Sequence, residues 1–160
     1  MKRQTMLSKV QNMNTWASTE GSSFPLGVKW IEEEQAYNFA LYSKHAQSVK
    51  LLLYGQDNII HPLFAYDLNF LKNKSGRICH CRIPKKAISN ARYYAYVITG
   101  SKPATRFEWH CFDPDKILLD PYAQSIFFPP DFDRNAAEQS GSNAGKAPVA
   151  FLCACEQSFD

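Results

Sequence analysis

Alternation of apolar side chains over short segments limits the folds open to this chain more than any other feature of its sequence. In residues 36–43, Tyr37, Phe39 and Leu41 recur at every second position, and residues 91–99 alternate in the same way. A period of two belongs to a β-strand, in which successive side chains point to opposite faces. These segments therefore predict strands that bury one face in a core.

The same pattern recurs along the chain, because further short segments lie between turn residues. Strands are predicted over residues 28–31, 36–43, 49–54, 59–64, 77–83, 91–99 and 116–119, with an apolar run over 149–155. Pro62 interrupts one of them, which favours a position at a sheet edge. In residues 77–83, Cys79, Cys81 and Ile83 share the face predicted to meet the core. Short strands at regular spacing predict an all-β sandwich.

The composition fits one folded domain. The chain has 160 residues, of which 45% are hydrophobic and 14% aromatic, and this size suffices for a single core. The formal net charge is +3, and the basic residues are scattered rather than gathered into the stripe of a nucleic-acid binder. No apolar run approaches the ~20 residues that span a bilayer. We therefore predict no nucleic-acid partner and no membrane partner.

The N-terminal residues and the cysteines bear on location. Residues 1–21 show no steady period and no apolar core of a secretory signal, so they are predicted to be a flexible extension. The five cysteines are an odd number, and without an export signal they indicate free thiols in a reducing compartment. The predicted location is the cytoplasm, with a plastid left open because the extension is basic and contains Ser and Thr.

Several short motifs lie along the chain in a fixed order. They are FPLG at residues 24–27, YNFALYSKHA at 37–46, VKLLLY at 49–54, YAYVITG at 94–100, FDP at 112–114 and KILLDPYA at 116–123. In this order they resemble the N-terminal region of the isoamylase and glycogen-debranching branch of glycoside hydrolase family 13. Each motif is weak alone, but their shared order over nearly the whole chain is specific.

The resemblance implies a fold and a domain arrangement. The matching domain of the family is a carbohydrate-binding module of family 48, an immunoglobulin-like β-sandwich, which a (β/α)₈ catalytic barrel of roughly 250 residues follows. We therefore predict a flexible extension over residues 1–21, the sandwich over 22–126, and an extended, mostly irregular linker over 127–160 that leads toward a barrel absent from this chain. One departure is Cys79, where the family usually has Trp, so local repacking of the core is expected.

The family's reaction implies no catalytic residue here. Hydrolysis of α-1,6 branch linkages uses a carboxylate nucleophile and a carboxylic acid about 5 Å apart. The resemblance places both on the barrel, so we assign no catalytic residue to this chain. Asp113 and Asp120 are interpreted as turn residues, and the Asp120-Pro121 pair is predicted to end the sandwich.

Two Cys-x-Cys pairs raise the alternative of a zinc site. Cys79 and Cys81 flank His80, and Cys153 and Cys155 form the second pair. Structural zinc sites more often use knuckles in which two to four residues separate the cysteines. Buried structural thiols explain the first pair better, because it lies on the predicted core face. We predict no metal and no other cofactor.

An α-glucan, glycogen or starch, is the ligand that the resemblance implies. Exposed aromatic rings with polar neighbours are the candidates to bind it. The predicted carbohydrate-binding residues are Trp30, Tyr54, Tyr66, Trp109 and Lys50, with Asn38 and Lys102 as helpers. The alternative is that these rings pack in the core, or that a catalytic barrel, the partner domain in the family, covers them.

These observations leave several hypotheses for the function. The first is the N-terminal glucan-associated module of a glycogen or starch debranching enzyme whose barrel is absent from this chain. The second is a stand-alone glycogen-binding or regulatory module, and the third is a piece of an active glycoside hydrolase. A poorly folding relic would instead expose apolar surface around Phe127, Phe128 and Phe132.

Overall fold

The computed structural model describes residues 20–100 and 112–152. The strands are β1 (Gly27–Ile31), β2 (Ala36–Tyr42), β3 (Ala46–Tyr54), β4 (Phe64–Asp67), β5 (Lys74–Ser75), β6 (Ile78–Pro84), β7 (Tyr93–Gly100), β8 (Ile126–Phe127) and β9 (Val149–Phe151). The helical elements within these described ranges are two 3₁₀ turns, Glu32–Glu34 and Lys85–Ile88, and one short helix, α1 (Asn135–Glu138). Among the described residues, no helix has the length and apolar character needed to cross a membrane.

The strands form two antiparallel sheets. Sheet A has four strands in the order β1-β2-β6-β5, and sheet B has five in the order β4-β3-β7-β9-β8. Side chains from both sheets meet in one buried cluster. The predicted all-β sandwich is therefore confirmed.

The alternation seen in the sequence sets which face of each strand meets the core. The core side chains of β2 and β6 are Tyr37, Phe39, Leu41, Cys79, Cys81 and Ile83, and those of β3 and β7 include Val49, Leu51, Leu53, Tyr94 and Tyr96. Full burial of a large apolar side chain stabilises the fold by about 1.5–3 kcal/mol. This burial fixes the pairing register of the strands, because a slip of one residue would turn all core side chains of a strand to the opposite face of the sheet.

Sheet B is also covered on its other face. A second buried cluster lies there, formed by Leu52, Tyr54, Tyr93, Ala95 and Val149, and Ile59, Val97, Ile117, Phe127 and Phe151 pack against it. A sheet buried on both faces needs apolar residues at consecutive positions. This requirement explains why β3 and β7 carry almost unbroken apolar runs.

The C-terminal part of the described chain belongs to sheet B. Strand β9 pairs with β7 through Tyr93 opposite Phe151 and Tyr94 opposite Ala150, and it pairs with β8 on its other edge. Val149, Ala150 and Leu152 are buried by this pairing. The described part of the C-terminal segment is mostly irregular, as predicted, and the start of the apolar run predicted over residues 149–155 forms β9, where these side chains add to sheet B.

Two of the predicted strands differ in the structure. Of the strand predicted over residues 59–64, residues 59–63 are irregular and β4 begins only at Phe64, because Pro62 has no N–H to give to a ladder. Residues 116–119 form one isolated bridge, between Leu118 and Tyr96, rather than a strand.

Candidate functional site

The KILLDPYA segment holds the C-terminal part of the chain against the sandwich through Lys116. Its buried ammonium donates to three backbone carbonyls, of Ala136 at 2.7 Å, Gln139 at 2.5 Å and Gly141 at 2.6 Å. These carbonyls lie in and just after α1, where the helix leaves acceptors without internal partners. Lys116 has three donors, and all three are used, so its role is structural.

Ile117 is fixed to the same C-terminal segment by Asn143. The Asn143 amide oxygen accepts from the Ile117 N–H at 2.7 Å, and its amide nitrogen donates to the Ile117 carbonyl at 3.0 Å. The buried side chain thus pairs with one residue as a neighbouring strand would. This pairing places the Ile117 side chain over the outer face of sheet B.

Asp120 ends the segment with a turn anchored in the core. Its Oδ2 accepts from the Tyr94 hydroxyl at 2.6 Å, and its Oδ1 accepts from the Tyr122 N–H at 2.9 Å. Burial raises the pKa of Asp120, and the hydrogen bonds from Tyr94 and Tyr122 lower it in part. The interpretation of Asp120 as a turn residue is confirmed. A carboxylate with both oxygens occupied and 1% of its surface exposed does not reach a substrate.

A polar cluster lies on the outer face of sheet A, where residues 20–23 cross it. Asn38 accepts from the Ser22 N–H at 2.7 Å and donates to the Ser22 carbonyl at 2.9 Å. His80, also buried, hydrogen-bonds the Glu20 carbonyl and Ser75. Asn38 is therefore used in holding the chain rather than in presenting an amide to a ligand.

The prediction that Tyr54 and Tyr66 present rings to solvent is wrong. Tyr54 is 0% exposed in the cluster outside sheet B, and Tyr66 is 4% exposed in the core. Both hydroxyls are buried, and neither has a hydrogen-bond partner among the described residues. Burial raises the pKa of Tyr54 to about 12 and raises that of Tyr66 further. The cluster outside sheet B takes up the Tyr54 ring, and the sandwich core takes up the Tyr66 ring.

Trp30 and Lys50 lie in different sheets. Trp30, half-buried on the edge strand β1, packs with its ring centroid 4.8 Å from that of Tyr37, and its indole N–H donates to Glu32. The ammonium of Lys85 lies 5.9 Å from the Trp30 ring. Lys50 is part-exposed on β3 and pairs with Asp67 at 3.7 Å. The structure does not bring the two predicted residues into one site, and Trp109 and Lys102 lie outside the described residues.

An exposed aromatic pair lies on the C-terminal part of the chain. Phe128 and Phe132 are 56% and 44% exposed, and their ring centroids are 5.1 Å apart in an edge-to-face contact. Phe127, by contrast, packs on Tyr93 at 4.8 Å in the cluster outside sheet B. Two neighbouring exposed rings are a candidate contact for a partner.

The cysteines described by the structure behave as core residues. Cys79 and Cys81 are free and buried. Burial raises the pKa of both thiols, that of Cys81 to about 12. Within residues 20–100 and 112–152, no group of three or more His, Cys, Asp or Glu side chains is placed to hold a metal ion.

Comparison with known proteins establishes the family. Residues 25–123 match the family model described as carbohydrate-binding module 48, the isoamylase N-terminal domain. This chain belongs to that family. The match begins two residues before β1 and ends at the last residue of the KILLDPYA segment, so β8 and β9 lie beyond it. The carbohydrate-binding module 48 domain thus includes Lys116 and Asp120, which hold the C-terminal segment and the turn.

Relatives of this module are larger proteins. It is 35% identical over 113 residues to isoamylase 3, chloroplastic, of Oryza sativa subsp. japonica, and 33% identical over 110 residues to the glycogen debranching enzyme of Yersinia enterocolitica. Each alignment covers 68% of this chain and 14% of the relative. The chain therefore spans a small part of the length of the curated relatives it matches.

Solved structures share the fold at lower sequence identity. The pullulanase SAP of group B Streptococcus, solved in complex with maltotetraose, has a TM-score of 0.55 at 20% identity, covering 82% of this chain and 15% of that one. The catalytic module of the glycogen-degrading pneumococcal virulence factor SpuA has a TM-score of 0.54 at 18% identity, covering 89% and 18%. At these identities the likeness concerns the fold of the module.

Proposed function

We propose that this chain is the N-terminal glucan-associated module of a glycogen or starch debranching enzyme, in which another domain hydrolyses the α-1,6 linkages. The match of residues 25–123 to the isoamylase N-terminal domain carries this proposal. The two named relatives, an isoamylase and a glycogen debranching enzyme, agree with it. Buried free thiols agree with a reducing compartment, the cytoplasm or a plastid.

Trp30 is the residue of the predicted set that best fits contact with a glucan. Its ring is half-buried on an edge strand, and Glu32, Gln35 and Lys85 beside it are exposed. An aromatic platform surrounded by a carboxylate, an amide and an ammonium can stack on a pyranose face while donating to and accepting from its hydroxyls. Lys50 stays a second and separate candidate.

The partner that we propose is the catalytic domain of the same enzyme. The relatives extend far beyond the matched region, and the ring of Phe128, 56% exposed, lies on the segment that follows the KILLDPYA turn. An apolar ring at this place would be covered by a domain that packs on the C-terminal side of the module.

Co-sedimentation with glycogen tests the association with glucan. The purified chain should be retained by glycogen and amylopectin, and Trp30→Ala should reduce retention several-fold because the stacking surface is lost. Lys29→Ala is a matched control, since Lys29 is an exposed neighbour on the same strand. Retention that is equal for all three proteins would rule out Trp30 as the contact, and no retention of the unmodified chain would argue against glucan binding.

Sequencing the transcript past the codon for Asp160 tests the assignment to a debranching enzyme. An open frame that encodes a barrel with paired carboxylates would support it. The rival that a specific observation favours is a stand-alone glycogen-binding module, because β9 completes sheet B within this chain. A stop codon, combined with retention on glycogen and no hydrolysis of pullulan, would favour the rival.

A further inference from the structure

A groove of about 380 Å³ lies between the end of β7 and α1. Its apolar lining includes Ile98, Phe112 and Leu118, and the Leu118 side chain is 39% exposed. Leu118 is held by paired backbone hydrogen bonds with Tyr96, at 2.8 and 3.0 Å. The groove therefore has a partly apolar floor whose backbone is fixed by the sheet, and its volume falls within the range of about 300–1,000 Å³ usual for small-ligand sites.

Polar side chains of complementary kinds line the same groove. Asp113 lies on one side, and the consecutive exposed residues Glu138, Gln139 and Ser140 lie on the side of α1. Carboxylates accept hydrogen bonds, the amide both donates and accepts, and the hydroxyl does the same. An apolar floor with such a rim matches a sugar ring, which has a C–H face and a border of hydroxyls.

The charges in the groove favour a neutral ligand over an anion. Two of its lining residues, Asp113 and Glu138, are acidic. The lysine in the lining, Lys116, is buried, and its ammonium donates to three backbone carbonyls. An anion in this groove would therefore meet two carboxylates. The adjoining groove adds Asp133, Arg134 and Lys146, so the two linings together carry three carboxylates against two exposed cations and do not form a cationic site.

A second groove of about 280 Å³ adjoins the first, because both are lined by Lys116, Leu118 and Ala137. Its lining adds the half-exposed ring of Phe132 and the exposed side chain of Lys146. A linear ligand that crosses Leu118 would contact both grooves. A single monosaccharide would fill only one of them.

We propose that these two grooves together form a binding site for a linear α-glucan segment of two or more glucose units. This site is separate from the Trp30 platform. The inference rests on the proposed association with glucan and adds to it a second place of contact. Glu138 and Gln139 bind hydroxyls, and Leu118 and Phe132 contact the C–H faces.

NMR titration of the ¹⁵N-labelled chain with maltotetraose tests the site. We expect saturable shifts at the amides of Leu118, Glu138, Gln139 and Ser140, weaker binding of maltose, and no shifts there with cellotetraose. Glu138→Ala combined with Gln139→Ala should raise Kd about tenfold through the loss of two hydrogen-bonding side chains. The backbone carbonyl of Gln139 is kept, so the contact with Lys116 remains.

The matched control is Glu33→Ala combined with Gln47→Ala, which changes charge and composition equally at exposed positions outside both grooves. It should leave Kd unchanged, and Trp30→Ala should leave the shifts at α1 unchanged. Shifts confined to the surroundings of Trp30, or an equal Kd for the groove variant and the control, would overturn the groove site and leave the proposed function standing. Absence of both shifts and glycogen retention would overturn both.

Discussion

The hydroxyl of Tyr94 donates a hydrogen bond to Oδ2 of Asp120 over 2.6 Å, and both side chains are buried. Tyr94 belongs to β7 in the middle of sheet B, and Asp120 belongs to the turn that ends the KILLDPYA segment. The signature is thereby attached to the core of the sandwich. Asp120, the acid of this segment, therefore performs a structural task in the chain.

Replacing Asp120 should destabilise the domain. Asp120→Ala removes the acceptor of Tyr94, leaves that buried hydroxyl without a partner and frees the Tyr122 N–H. We expect a loss of about 2–4 kcal/mol in the free energy of unfolding, measured by urea denaturation. Asp115→Ala is the control, because Asp115 is exposed. An equal stability of the two variants would show that the contact contributes nothing.

The pH dependence of stability should report Asp120. Burial raises its folded pKa above the ordinary value of 3.8, so the folded state holds the proton more tightly than the unfolded state. Stability is then greatest below that ordinary value and falls as pH rises from it to the raised pKa, above which it is constant. The difference in unfolding free energy between the unmodified chain and Asp120→Asn should follow this fall. A difference that rises with pH over this window would contradict the direction of the shift.

Replacing Lys116 should release the C-terminal segment. Lys116→Met keeps an unbranched side chain, shorter by the terminal nitrogen, and leaves the carbonyls of Ala136, Gln139 and Gly141 without their donor. We expect a loss of about 2–3 kcal/mol and faster amide hydrogen exchange in α1, followed by mass spectrometry. Lys86→Met, at an exposed lysine, should change neither. Unchanged exchange in α1 after Lys116→Met would mean that other contacts hold the segment.

The sequence correctly predicts the strands in which alternate side chains face the core. Residues 36–43 and 77–83 alternate because sheet A is packed on one side by the core, and the structure places β2 and β6 there. Long-range contacts explain the misses. The composition of residues 127–160 predicts an extended segment with an apolar run near its end, but not that β9 pairs with β7, more than 50 positions earlier in the chain. No local pattern reports such a pairing.

The candidate site was harder to predict for the same reason. Tyr54 looked accessible at a strand end, but Val149 from the far end of the chain packs in the same cluster. Lys116 and Asn143 are polar residues, which their type alone predicts to be exposed. Both are buried, because they form hydrogen bonds with backbone groups distant in sequence. Trp30 was predicted from its position near a strand end, and its part-exposed ring fits that expectation.

Cys79 and Cys81 should be unreactive in the folded protein. The thiolate is the reactive form, both side chains are buried, and burial raises both pKa values, that of Cys81 to about 12. Alkylation at about pH 8 should leave both unmodified until denaturant is added, as read by peptide mass mapping. Ser89→Cys supplies an exposed control thiol. Labelling of Cys79 or Cys81 as fast as that control would show that the core opens readily.

Gly21 should tolerate no side chain, because residues 20–23 lie directly on sheet A. A Cβ at Gly21 would come within 2.7 Å of the Cys81 carbonyl carbon and 2.8 Å of the Asn38 amide oxygen, and its φ is +72°. A Cβ at Gly76, where φ is +61°, would lie more than 4 Å from every described part of the chain other than its two sequence neighbours, so Gly76→Ala carries the backbone strain without the clash. We expect Gly21→Ala to lower the free energy of unfolding by about 1–3 kcal/mol more than Gly76→Ala does. It should also speed hydrogen exchange of the Ser22 N–H, which donates a hydrogen bond to the Asn38 side chain. Equal unfolding free energies for the two variants would show that residues 20–23 are only loosely held.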